Sequence, residues 1–196
     1  MKRFFDILVS AIGLVITAPI MLGAALAIRA SSPGPILFRQ SRVGRSGRLF
    51  DILKFRSMRP APSGTGPEIT VGNDQRITPV GAFLRKWKID ELPQLINVLK
   101  GDMSLVGPRP ETPKYVALYP DDLRRQILSV RPGITDMASI KYRYESEVLA
   151  EQSDPERYYN EVILPDKLAM GVDYARRPTV WNDIGIIFKT ALAVLK

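Results

Sequence analysis

Apolar positions are distributed very unevenly along the chain. From Ile7 to Ile28 there are 22 positions without a charged side chain, which as a straight helix would reach about 33 Å, enough for a bilayer core of about 30 Å. Pro19 falls near the middle, in Thr17-Ala18-Pro19-Ile20, where a missing N–H and a ring clash kink or break a helix. Beyond the breaker cluster Ser31-Ser32-Pro33-Gly34-Pro35, two short apolar and aromatic runs, Ile36-Leu37-Phe38 and Leu49 to Phe55, are joined through Gly44-Arg45-Ser46-Gly47. They read as a β-hairpin. Residues 60–72, rich in proline and glycine, read as a mobile surface loop. Leu92, Leu95, Ile96 and Leu99 stand at i, i+3, i+4 and i+7, the stripe of an amphipathic helix. Asp90 suits its N-cap, and Lys100-Gly101 its end. Trp181, Ile184, Phe188, Ala191 and Leu195 mark a last helix, with its stripe either in the core or along a membrane interface.

Charge sharpens the reading of the first segment. The net charge is +8, and residues 1–60 carry ten Lys and Arg against Asp6 and Asp51, while the remaining 136 residues hold eighteen of each sign. Basic residues flank the apolar segment on both sides, Lys2 and Arg3 before it and Arg29, Arg39, Arg42, Arg45 and Arg48 after it. The preference of such flanks for the cytoplasmic side then asks both ends to stay there. A helix-break-helix hairpin, re-entrant in one leaflet and turning at Pro19, satisfies that demand, and Thr17 is placed to bond a carbonyl that the proline frees. A kinked transmembrane helix and a cleaved signal peptide are the alternatives. The division is therefore residues 1–30 as a membrane hairpin and 31–196 as one cytoplasmic catalytic unit. The fold class is α/β: the hairpin, a small antiparallel β-sheet, and amphipathic helices around it, several of them interfacial.

Composition narrows the chemistry. The 196-residue chain has no histidine and no cysteine, which removes Ser-His-Asp and Cys-His catalysis, disulfides and the usual zinc and iron ligand sets. A metal would be a hard cation such as Mg²⁺ on carboxylate oxygens. Asp90-Glu91, with Arg85, Lys86 and Lys88 just upstream, places acids where a helix begins and phosphate is attracted. A carboxylate there could ligate Mg²⁺ or act as a nucleophile, and equally could be a plain cap. Arg109, between Pro108 and Pro110, sits on a stiff segment suited to gripping phosphate, with Lys54, Arg85 and Arg131 as further phosphate or nucleotide contacts. Aromatic residues interleaved with basic ones, as single-strand binding requires, are sparse, so no nucleic acid is expected.

Read in order, Arg3-Phe4-Phe5-Asp6, the proline-containing apolar segment, Lys54-Phe55-Arg56-Ser57-Met58, Ile89-Asp90-Glu91-Leu92-Pro93-Gln94, Asn97 to Ser104, Val106-Gly107-Pro108-Arg109-Pro110 and Arg131-Pro132-Gly133-Ile134-Thr135 resemble the bacterial sugar transferases, the small monotopic phosphoglycosyl transferases. That resemblance implies transfer of a sugar 1-phosphate from a nucleotide (UDP-) sugar donor to a polyprenol (undecaprenyl) phosphate acceptor, with release of UMP, at the cytoplasmic face of the bacterial inner membrane among membrane lipids. It also implies a ping-pong route in which Asp90 becomes phosphosugar-linked, Glu91 orients or handles protons, Mg²⁺ on Asp90 screens charge, and Arg109 holds a phosphate. Two departures stand out. Ala18 precedes the proline where the family commonly has serine, and Asp136-Met137-Ala138-Ser139 replaces the usual Gly-Trp-Ala-Gln. The competing reading is a non-catalytic basic adaptor on the membrane surface.

Overall fold

The computed structural model describes residues 1–59, 69, 71–72 and 74–195; most of the loop expected over 60–72 lies outside them. The first element is α1 (Lys2–Ser31), a single helix of 30 residues that runs through Pro19. The two-armed break expected at that proline is therefore corrected to a continuous helix. Only the hydrogen bond to the Val15 carbonyl is forfeited by the proline, and contacts at both ends hold the helix in place. The Thr17 hydroxyl does not reach that carbonyl either: it donates to Gly13 O at 2.7 Å.

The amphipathicity of α1 is inverted relative to a soluble helix. Its inward stripe carries Asp6, Ser10, Ala24 and Ile28, all buried, with Gly13 between them, where an added Cβ would stand 3.3 Å from Leu95. The outward face presents Phe4, Val15, Ile16, Ile20 and Leu26. At its N-terminal end Asp6 accepts from Ser104 Oγ (2.9 Å) and Leu105 N (3.2 Å). At its C-terminal end Ala24 and Ile28 pack with Phe55 and Leu84. Both ends rest on one globular body.

The expected hairpin is β1 (Leu37–Val43) and β2 (Leu49–Phe55), antiparallel with Leu37 opposite Phe55 and Val43 opposite Leu49. Arg56, just past β2, is buried and caps the exit of α1, donating to Ser32 O (2.8 Å) and Pro33 O (3.0 Å). Gly34 makes room for it with a φ of 118°; a Cβ there would lie 2.3 Å from the guanidinium. Then follow α2 (Pro79–Lys86), a 3₁₀ turn over Ile89–Glu91, and α3 (Gln94–Lys100), closed by Gly101 in the left-handed region.

The stripe predicted for α3 is half-buried over Leu92, Leu95 and Ile96, but it is not the most buried face of the helix. Gln94, Asn97 and Val98 are the buried residues, whereas Leu99 is exposed. The reason is Asn97, whose side chain accepts from Leu53 N (2.9 Å) and donates to Asp51 O (2.8 Å), pinning the helix to β2. Leu95 turns to α1 instead. Asp90 is not the cap of this helix; it lies in the preceding 3₁₀ turn, and Pro93 holds the cap position.

A second pairing, absent from the sequence reading, joins β3 (Ser104–Val106) to β4 (Gly133–Thr135) in parallel, with Ser104 opposite Gly133. Between them run α4 (Pro113–Val116) and α5 (Asp121–Ile127). After them come α6 (Met137–Lys141), α7 (Glu145–Ala150), α8 (Pro155–Tyr158), a π-helical turn over Tyr159–Ile163, α9 (Leu164–Arg176) and α10 (Val180–Leu195). The largest apolar cluster gathers Tyr115, Val116, Ile127, Leu149, Ile163 and Leu168 around α9; each such side chain, once fully buried, contributes about 1.5–3 kcal/mol. On α10 the core alternative fails. Asp183 and Ile186 are buried, and Trp181, Phe188 and Leu195 are exposed.

Candidate active site

Three pieces of chain converge on one cleft of about 810 Å³. The first is β2, which delivers Lys54. The second is the 3₁₀ turn with Asp90 and Glu91, launched by Lys88 at a φ of 55°, a left-handed backbone that costs a non-glycine residue about 1 kcal/mol. The third is the Pro108-Arg109-Pro110 loop. That loop is fixed by main-chain bonds from Gly107 N to Thr135 O (3.1 Å) and from Gly133 N to Pro108 O (3.1 Å). So tight is the approach that a Cβ on Gly133 would lie 2.1 Å from Gly107 N, which is why the Arg-Pro-Gly motif needs its glycine.

Glu91 is the hub. Its Oε1 receives Lys54 Nζ at 3.0 Å and Arg109 Nη2 at 2.6 Å, and its Oε2 faces Arg109 Nη1 at 3.4 Å. Burial works against its ionised form, but Arg109 and then Lys54 outweigh it and hold the carboxyl well below the usual range. Asp90 is the opposite case. Burial and then the Glu91 charge push it above the usual carboxylate range, despite Lys54 and Lys88. It is 5% exposed, and its Oδ1 has no hydrogen-bond partner among the described residues. A buried acceptor left bare costs about 1–3 kcal/mol, so this atom is poised for something that arrives.

The structure brings Lys54, Arg85, Asp90, Glu91 and Arg109 together along the cleft, with Arg56, Lys88 and Arg143 adding to a basic lining. It does not bring Arg131. That side chain lies off the cleft and donates through Nε to Gly101 O at 2.9 Å, so its role is to cap the end of α3. Pro19 is likewise remote, within α1. Sequence reasoning missed Asp136, which is buried and bonds the Arg109 backbone N–H at 3.1 Å and Ser139 N at 2.6 Å. The signal was available: an aspartate three residues ahead of its partner at the mouth of a short helix is an N-cap pattern.

Among the described residues no group of three or more carboxylates could cage a metal. Glu91 is engaged by two cations, and Asp90 Oδ1 is a buried carboxylate oxygen at the hub without a partner among the described residues. Such a site fits a Mg²⁺ shared between one carboxylate and substrate phosphates, which is how this ion is commonly bound. It does not fit a resident cage.

A buried unpaired carboxylate in a basic cleft, on a body with apolar outward helix faces, gives this site a charge that suits anionic groups. Comparison with known proteins places it: the chain belongs to the bacterial sugar transferase family, whose model matches residues 1–196. It is 40% identical to a UDP-N-acetylgalactosamine-undecaprenyl-phosphate N-acetylgalactosaminephosphotransferase of Aeromonas hydrophila, over 99% of this chain and 43% of the relative. It is 38% identical to a UDP-glucose:undecaprenyl-phosphate glucose-1-phosphate transferase of Caulobacter vibrioides, over 99% of this chain and 69% of the relative. An Escherichia coli protein of the same description is 37% identical over 97% of this chain and 39% of its own length. The chain thus spans less than half the length of two of these relatives.

Proposed function

We propose that this chain transfers a sugar 1-phosphate from a UDP-sugar to undecaprenyl phosphate and releases UMP. The observation that carries the reading is the bare, buried Asp90 Oδ1 beside an ion-paired Glu91; the names of the relatives supply the substrate class. In the first half, Asp90 attacks the sugar-bearing phosphorus, an aspartyl-phosphate bond forms, and the bond to the UMP oxygen breaks. In the second half, an oxygen of the lipid phosphate attacks the same phosphorus and Asp90 leaves as a carboxylate. Arg109 and Lys54 neutralise developing charge and hold the phosphates, which is most of what phosphoryl transfer demands. Glu91, kept ionised by these cations, orients them rather than passing a proton. Mg²⁺, when bound with the diphosphate at Asp90, would supply charge neutralisation.

The apolar outer faces of α1 and α10 support membrane association, and both ends of α1 docking on one body supports a helix that is seated in the membrane without crossing it. We place the globular body on the cytoplasmic side, where the basic flanks belong. Cysteines introduced at Lys2 and Arg39 should both be labelled only from the cytoplasm; labelling of either from the other side would defeat this topology. For the chemistry, purified protein incubated with a panel of UDP-sugars should release UMP when undecaprenyl phosphate and Mg²⁺ are supplied. With donor alone it should gain the mass of a phosphosugar at Asp90. Wild-type turnover by Asp90→Asn would remove the covalent step.

A further inference from the structure

We infer that Asp136 is a positioning residue for this reaction, acting through Arg109, and this rests on the transferase reading above. Asp136 is 5% exposed and uses its two carboxylate oxygens on two different segments. Oδ1 accepts from Ser139 N at 2.6 Å and so caps α6. Oδ2 accepts from the backbone N–H of Arg109 at 3.1 Å. Arg109 in turn grips Glu91, the neighbour of Asp90, at 2.6 Å. The line of contacts from Asp136 to the Asp90–Glu91 turn is therefore unbroken, and every member of it lines the cleft.

The arrangement exceeds what a cap needs. Asparagine or serine would cap α6 as well as aspartate, but neither offers a second anionic oxygen to the Arg109 N–H. The proline on either side of Arg109 fixes φ there and leaves the Arg109 N–H as the only main-chain donor within Pro108-Arg109-Pro110. Asp136 takes that donor, and so sets the origin from which the Arg109 side chain reaches into the site. A misplacement of about 1 Å in such a group can lower a rate about 100-fold.

The test separates capping from positioning. Asp136→Asn and Asp136→Ser, which keep a cap acceptor, should hold the melting temperature within about 2 °C of wild type. Both should lower kcat/KM for UMP release from the preferred UDP-sugar by at least about tenfold. Because the effect runs through Arg109, Asp136→Asn combined with Arg109→Lys should cost no more than Arg109→Lys alone. Near-wild-type kcat/KM in both cap-competent variants, or a fully multiplicative double variant, would overturn the assignment while leaving the transferase reading intact. So would loss of the fold in both, since the bond from Asp136 to the Arg109 N–H would then hold the structure together rather than set the reach of Arg109. Absence of UMP release by the wild type overturns the transferase reading itself.

Discussion

Two pairs of buried acids sit in this protein, and they are treated in opposite ways. Asp6 and Asp183, where α1 meets β3 and α10, are fully provided for. Lys2 pairs with Asp183 and lies 3.8 Å from Asp6, Tyr174 donates to Asp183 at 2.6 Å, and Ser104 with the Leu105 N–H satisfies Asp6. Asp90 and Glu91 share their cations unequally: Glu91 takes Lys54 and Arg109, and Asp90 keeps a bare oxygen. Burial alone does not distinguish structure from chemistry here, since all four are nearly inaccessible. The distinction lies in what remains unpaired, because a fold has no thermodynamic reason to leave a buried carboxylate oxygen empty.

The sharpest way to break this contrast is at Asp90. Asp90→Asn should lower UMP release by at least about 10³-fold while leaving the melting temperature at or above that of wild type, since it removes a buried charge. An equal loss of stability would place Asp90 with the structural pair. Next in size, Lys2→Ala should destabilise folding by about 3 kcal/mol, because removing one partner strands Asp183 in the interior, as read by denaturant unfolding in detergent. Asn97→Ala should follow at about 2 kcal/mol, from the loss of two buried bonds to β2.

Acid should separate the pairs more gently. Asp90 is raised above the ordinary range by burial and Glu91, so as pH falls it protonates first and kcat/KM declines. Glu91 is depressed, so the stability it contributes is complete above its unfolded value and is lost only as pH falls further, through its folded one. The acid limb of activity should therefore lie at higher pH than acid unfolding; coincident curves would contradict the assignment. The smallest effect is expected on α10, where Trp181→Ala should change folding stability by less than about 0.5 kcal/mol, given its 83% exposure.

The residues of the cleft were more legible in the sequence than the fold around them. Asp90, Glu91, Arg109 and Lys54, singled out through the family resemblance, line one cleft, while composition alone had removed histidine and cysteine chemistry and left Asp, Glu, Lys, Tyr, Ser and Thr. What could not be read was set by partners distant in sequence. Arg131 carries the same Arg-Pro signature as Arg109 and is drawn instead to the Gly101 carbonyl. The stripe on α3 has the right period, yet Asn97 turns its polar face inward. The Lys2–Asp183 pair spans nearly the whole chain, and no periodicity announces such a bond. Pro19 was over-read: its local cost is real, but docking at both ends of α1 keeps the helix whole.

Lys54 and Arg56 stand two residues apart at the end of one strand, and they hold different things. Lys54 grips Glu91, while Arg56 grips the Ser32 and Pro33 carbonyls just past the apolar helix. Two residues of extended backbone, about 7 Å, separate the two grips. The seat of the apolar helix and the hub of the cleft thus share one short piece of backbone.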